Sequence, residues 1–236
     1  MSGPACPLPH RSERPLAIGL NGWFWERIDT GSGQYLRRLL RGLLALPAED
    51  RYTLFVPAGT RAAVEEMSAD PDRLRVAPLR TPFDRLNRDL AKVWFEQIAL
   101  PRACRRAGLD LLHVPYWATP ADAPAPVVTT IHDLIPLLLP AYRGPALVRV
   151  YSSLVSRTAR RSGLVLTDSL ASQADIVRAL GLPAERVRVI YLGVDEEYRP
   201  IRETQRLRAV RERYRLPERF VLYLGGFDQR KNVPRL

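Results

Sequence analysis

The chain predicts an α/β protein built on a parallel sheet with helices on both faces. Three observations carry that prediction. Short apolar, β-prone runs alternate along the chain with segments of helical spacing, the pattern of parallel strands joined by crossover helices. The run Val127-Val-Thr-Thr-Ile131 is β-branched throughout, as in strands covered on both faces. The 236 residues, 46% hydrophobic and 26% charged, match an ordinary globular protein and suffice for one good-sized domain and part of another.

Each element follows from its local pattern. Leu16–Leu20 is a short apolar strand, followed by a loop through Trp23 and Trp25 to Gly31-Ser-Gly33. From Gln34 the residues Tyr35, Leu36, Leu39, Leu40, Leu43 and Leu44 recur at helical spacing, with Arg37, Arg38 and Arg41 opposite, until Pro47 ends the helix. Strands are expected over Tyr52–Val56 and Leu74–Leu79, with a short helix over Arg61–Met67 between them. Phe83–Ala107 reads mostly as helix, interrupted at Pro101 and closed by Gly108. Leu109–Val114 and Val127–Ile131 are the next strands, separated by the proline-rich stretch Pro120–Pro126.

Pro145–Arg161 predicts a helix with Leu147, Val150, Tyr151, Leu154 and Val155 inward and Arg149, Arg157 and Arg160 outward. A strand over Gly163–Thr167 leads to a helix with a capping box at Ser172-Gln-Ala-Asp175 and a stop at Gly181. Val187–Leu192 is a strand, Arg199-Pro200 a linker and Thr204–Tyr214 a charged helix. Phe220–Leu224 predicts a buried strand that turns at Gly225-Gly226 towards Arg230, Lys231 and a helix start. The expected organisation is a disordered tail over 1–14, a domain over 15–198, and an incomplete second domain over 199–236.

Composition excludes several classes. No apolar run reaches the roughly 18 residues of a membrane span. The tail lacks the apolar core of a secretory signal, which predicts a cytoplasmic protein. Cys6 and Cys104 are too few for a disulfide framework, and with three histidines they offer no zinc pattern. The net charge of +11 comes almost wholly from arginine, Lys92 and Lys231 being the only lysines. A basic surface suits a phosphate-bearing substrate or an anionic membrane, on which arginines of the 83–107 and 145–161 helices could rest. The arginines are spread among Glu and Asp without any nucleic-acid motif, so no nucleic-acid partner is expected.

In open parallel sheets ligands bind beyond the carboxyl ends of the strands. That rule singles out Gly31–Gly33, Tyr116-Trp117, His132-Asp133, Asp168-Ser169, Gly193–Asp195 and Gly225–Lys231. A glycine turn with Arg230 and Lys231 before a helix start suits a phosphate. Gly31-Ser-Gly-Gln-Tyr-Leu36 approaches a dinucleotide fingerprint, but Leu36 fills the third glycine position and no acidic residue ends the second strand. It reads either as a loop capping a helix or as a helix N-terminus open to a phosphate or hydroxyl. His132 is the best catalytic candidate, with a structural role as its alternative. Ser169 and Ser172 read as helix caps, and Trp117 as a surface for a sugar or a loop filler.

Five pieces in register resemble the retaining glycosyltransferases of family 4: Gly31-Ser-Gly-Gln-Tyr35, Ile131-His-Asp-Leu134, Thr167-Asp-Ser-Leu-Ala-Ser172, Val189-Ile-Tyr-Leu-Gly-Val-Asp195 and Val221-Leu-Tyr-Leu-Gly-Gly-Phe-Asp-Gln-Arg-Lys-Asn232. The resemblance implies the GT-B fold: a Rossmann-like N-terminal domain that binds the acceptor, a C-terminal domain that binds a nucleotide-sugar, and a cleft between them. It implies that Gly31, Ser32, Gly33, Gly225, Arg230 and Lys231 lie against the donor phosphates and sugar. His132 and Asp133 would serve the transferred sugar, and Tyr116, Trp117 and Ser169 would line the acceptor side. Many members carry an arginine where Gly226 stands; the resemblance then implies that part of the phosphate contact is missing or falls to Arg230. The resemblance further implies transfer to a glycan or lipid-linked acceptor with retention, and no metal or other cofactor. The family's paired glutamates lie beyond Leu236, so this chain is expected to be inactive alone, with a C-terminal half as partner. The alternative is a non-catalytic half or a split-enzyme subunit.

Overall fold

The computed structural model describes residues 14–60 and 72–236. The helix expected over 61–67 and nearly all of the expected tail lie outside them. The chain forms two compact units, Met1–Leu192 and Gly193–Leu236.

The first unit is built on one seven-stranded sheet, ordered β3-β2-β1-β4-β5-β6-β7. Its strands are β1 (Ala17–Asn21), β2 (Arg51–Pro57), β3 (Leu74–Leu79), β4 (Leu111–Val114), β5 (Val127–Thr130), β6 (Leu164–Thr167) and β7 (Val187–Val189). Every pairing is parallel. The chain winds outward from β1 to β3, returns to β4 beside β1, and then winds the other way. The order thus reverses between β1 and β4, the switch point beside which ligands bind in such sheets.

Both faces of the sheet are covered. Leu54 and Phe55, successive residues of β2, enter different clusters because side chains alternate across a strand. Leu54 joins Leu20, Trp25 and the helix α1 (Gly31–Ala45), whose Leu36 and Leu40 are fully buried one turn apart. Phe55 joins Phe95, Leu100, Leu112 and Val114. A third cluster gathers Ile131, Val165, Ile176 and Leu180 under β5 to β7. Truncating a fully buried leucine such as Leu36 to alanine costs about 2–5 kcal/mol. No described helix is long and apolar enough to cross a membrane.

The segment expected as helix over 83–107 begins later and is not uniform. Asn87 caps α2 (Arg88–Trp94) by accepting from the Asp89 and Leu90 amides. A π turn, Phe95–Ala99, joins it to α3 (Leu100–Ala107). Pro101 sits in the first turn of α3, and the wider π turn absorbs the hydrogen bond that proline cannot make. Gly108, at φ +60°, ends α3 in the left-handed conformation. Burial drives the Cys104 thiol up to about 12, which leaves it inert.

Beyond β5 come α4 (Ile135–Leu138), α5 (Ala146–Ala159) and α6 (Leu170–Leu180). Leu147 and Val150, expected inward on α5, are 51% and 69% exposed, because only the carboxyl half of α5 packs on the sheet, through Val155, Thr158 and Ala159. The cap of α6 is Ser169, three residues before the expected box, since its hydroxyl accepts from the Ser172 amide. Gly181 ends α6 at φ +63°, as predicted.

The second unit contains α7 (Thr204–Arg213) and two 3₁₀ turns, Gln229–Lys231 and Val233–Arg235. The strand expected over Phe220–Leu224 does not form. No described strand pairs with it, and an unpaired strand leaves its peptide groups unsatisfied. Val221, Leu222 and Leu224 are 86%, 78% and 94% exposed, and no residue of this unit is buried.

Candidate active site at the carboxyl ends of β5 and β6

The glycine loop forms the first turn of α1, which starts at Gly31, three residues before the expected Gln34. Thr30 is the N-cap: its hydroxyl accepts from the Gly33 amide at 3.3 Å and donates to the Arg27 carbonyl at 2.8 Å. The Gly31 and Ser32 amides have no hydrogen-bond partner among the described residues. The two glycines are not equivalent. A Cβ at Gly31 would meet open space, whereas one at Gly33 would lie 2.0 Å from the Arg27 carbonyl oxygen. Gly33 is therefore required because the β1–α1 loop folds back onto the helix start.

His132 follows β5. Its Nδ1 lies 2.7 Å from Oδ2 of Asp168, the residue after β6. A proton assigned to Nδ1 satisfies the carboxylate and leaves Nε2 with a lone pair in the neutral ring. Nε2 is buried and has no hydrogen-bond partner among the described residues. Tyr35, from the first turn of α1, meets the imidazole edge-to-face with ring centroids 4.7 Å apart. The Tyr35 hydroxyl reaches the Thr130 hydroxyl at 3.2 Å, and His113 Nε2 reaches the same oxygen at 3.0 Å. Burial lowers the His113 pKa to about 4, so its ring is neutral at neutral pH. Burial also raises the Tyr35 pKa, which keeps its proton in place. Ser172 Oγ donates to the His132 carbonyl at 2.9 Å and is itself tied to Ser169, fixing the strand end from below.

The site thus joins the start of α1, the end of β5 and the β6–α6 turn. It presents an oriented imidazole and two open amides, groups that bind hydroxyls and anions. No described hydroxyl stands against His132 Nε2, so the serine–histidine pair of a hydrolase is absent. Among the described residues no group of three or more His, Cys, Asp or Glu gathers as for a metal.

Other expected site residues are placed differently. The Asp133 carboxylate accepts from the Ile135 amide at 3.0 Å and is not the partner of His132. Trp117 packs against the cluster of Ile131, its Nε1 buried and unpartnered. Tyr116 is buried and donates to Glu96 Oε1 at 2.6 Å, so it presents no hydroxyl to a ligand. Gly225, Arg230 and Lys231 belong to the second unit. There the Arg230 Nε and amide both bond Asp228 Oδ1 at 2.9 Å, and Lys231 is exposed.

The sequence alone did not identify a buried cluster beside β4. Glu96, in the π turn, is fully buried. It accepts from Tyr116, Tyr151 of α5, and Lys92, whose Nζ is 2.7 Å away. The ammonium stands 5.2 and 5.0 Å from the Tyr116 and Tyr151 ring centres. Burial first, and the Glu96 charge second, raise both phenols well above their ordinary range. Asp168 was visible as a strand-end residue, but its pairing with His132 was not. Tyr35 and His113 resemble core residues in sequence, and only the sheet order brings them together.

Residues 30–198 match Glycosyltransferase Family 4. The chain is 30% identical over 115 residues to the Serotype-specific mannosyltransferase WbdA of Escherichia coli, covering 48% of this chain and 14% of that protein. It is 30% identical over 107 residues to the O-antigen chain mannosyltransferase B of Escherichia coli, covering 45% and 28%. Among solved structures, Anabaena Alr3699/HepE in complex with UDP and glucose superposes with a TM-score of 0.51 at 18% identity, over 84% of this chain and 50% of that one. At that identity the likeness is one of fold, and the chain spans only a fraction of each relative's length. With the family match covering most of the described sheet and the His132 site, the chain belongs to glycosyltransferase family 4, with the Rossmann-like sheet of a GT-B N-terminal domain.

Proposed function

We propose that this chain supplies the acceptor side and the phosphate-facing rim of a glycosyltransferase. The enzyme moves a hexose from a nucleotide-sugar to a glycan or lipid-linked acceptor, with retention at the anomeric carbon. The carrying observation is the convergence of His132, oriented by Asp168, with the open amides at the start of α1 through Tyr35. In this reading His132 Nε2 accepts from a hydroxyl of the transferred sugar. The Gly31 and Ser32 amides stabilise the charge that develops on the leaving diphosphate. The nucleotide-sugars named with HepE and the O-antigen role named for the relatives support this assignment of substrate class.

Activity is proposed to need a donor-binding domain beyond these residues, as the half coverage of HepE suggests. Transfer should be measured from a panel of nucleoside diphosphate sugars, with this chain alone and with a protein extended by its donor domain. We expect background turnover from the chain, transfer with retained configuration by NMR from the longer protein, and at least a hundredfold loss in His132→Ala. Robust turnover by the chain alone overturns the division of labour. An inverted product overturns the mechanism, and no transfer by the longer protein overturns the activity.

The reaction is proposed to occur at the cytoplasmic face of a membrane. Exposed Leu147 and Val150 lie on α5 with outward Arg149 and Arg157, an apolar and cationic combination suited to anionic lipid. Sedimentation with phosphatidylglycerol vesicles but not phosphatidylcholine vesicles is the expected result; equal sedimentation with both would contradict it.

A further inference from the structure

A cavity of about 970 Å³ opens at the carboxyl ends of β2 and β3 beside the loop after β1. Its size falls in the range of small-molecule sites. Trp23 and Ala91, both buried, form an apolar floor. Four arginines line it: Arg27, Arg80, Arg85 and Arg88. Arg27 is held by Asp29 through two contacts of 3.0 Å. Arg80, Arg85 and Arg88 are exposed and have no hydrogen-bond or ion-pair partner among the described residues.

The wall also carries two carboxylates, Asp84 and Glu26. Asp84 accepts from the Thr81 amide at 3.0 Å and from its hydroxyl at 2.6 Å, and Glu26 acts on Arg37. The cavity therefore offers Arg80, Arg85 and Arg88, none hydrogen-bonded to a carboxylate although the Arg88 charge also acts on Asp29, beside the Trp23 indole. A guanidinium fork matches a phosphate or carboxylate, and an aromatic floor suits the apolar face of a sugar ring. The loop that carries Trp23 and Arg27 is the one that packs on Gly33, so this cavity and the start of α1 share a wall.

We propose that this cavity selects an acidic acceptor, a sugar bearing a phosphate or a carboxylate, with Arg80, Arg85 and Arg88 holding the acidic group. The inference rests on the acceptor-binding role proposed above and names the chemical class of that acceptor. Nothing in the His132 site distinguishes an acidic from a neutral sugar; the three arginines do.

The test is calorimetric titration of the 236-residue chain with glucose 6-phosphate, glucuronate, glucose and inorganic phosphate at fixed ionic strength. The same titrations are made on R85Q/R88Q and on R41Q/R102Q, which removes equal charge from exposed positions outside the cavity. Both pairs are exposed, and thermal melts verify that each variant keeps its fold. An acidic sugar should bind at least tenfold tighter than glucose, weaken tenfold or more in R85Q/R88Q, and change less than twofold in R41Q/R102Q. Binding of glucose 6-phosphate alone assigns a phosphorylated acceptor, and of glucuronate alone a uronic acid.

Equal binding of glucose, equal loss in R41Q/R102Q, inorganic phosphate binding as tightly as the sugars, or no sugar binding each overturns the proposal. Failure of the broader reading is distinguishable. Transfer by the extended protein to a neutral acceptor, unchanged by R85Q/R88Q, removes the acidic class and keeps the transferase. Acidic-sugar binding without any transfer does the reverse.

Discussion

At the scale of single residues, Gly33 and Gly31 make a paired experiment. Gly33→Ala would put a methyl group 2.0 Å from a backbone oxygen, forcing the loop or the helix start to move, whereas Gly31→Ala meets open space. Gly33→Ala should lower stability by about 1–3 kcal/mol, and Gly31→Ala should be neutral or raise it by a few tenths, as read from denaturant midpoints. His113 gives a pH prediction. Its folded pKa, about 4, lies below the ordinary 6.5, because burial favours the neutral ring. The unfolded chain then binds a proton that the folded chain refuses, so stability is full above pH 6.5 and declines as pH falls towards 4. The loss should approach about 3 kcal/mol, and His113→Asn should flatten that part of the stability–pH curve.

At the scale of elements, the Ser169 cap and the Glu96 cluster are the most informative. Ser169→Ala removes the side-chain acceptor at the head of α6 and should cost about 1 kcal/mol in a thermal melt. Glu96→Ala leaves the half-buried Lys92 ammonium and the buried Tyr116 hydroxyl without their acceptor, and should cost about 3 kcal/mol by the same measurement. Equal effects from the two substitutions would contradict the burial difference. The same elements show what the sequence could convey. β3 has the expected bounds, Leu74–Leu79, with Pro78 near its end. The sequence offered both Ser169 and Ser172 as caps of α6 because they are locally interchangeable; the structure assigns the cap to Ser169 and turns the Ser172 hydroxyl to the His132 carbonyl. The inner face of α5 was half legible: helical spacing identifies an apolar stripe, but not how far the sheet beneath it extends. For the site, the strand-end rule located His132 and Asp168, while their bond depends on β5 and β6 being neighbours.

At the scale of the whole chain, the two units differ in kind. The first holds the entire sheet and every described buried residue; the second adds no strand. A chain ended at Leu192 should therefore keep a cooperative melt within a few degrees of the 236-residue chain, and a collapse of that transition would show that residues 193–236 support the sheet. The strand order also governs the sequence of events during synthesis. β1 is made first, yet it lies between β2 and β4, and β4 ends only at Val114. Until then the nascent chain carries β1 with one edge open and unsatisfied, a template for wrong pairing. Once β4 docks, β5, β6 and β7 can add outward one at a time, each onto an edge already in place. The vulnerable interval in the life of this protein is thus the time before Val114 has been made, when slow folding or aggregation would begin at the strand destined for the centre.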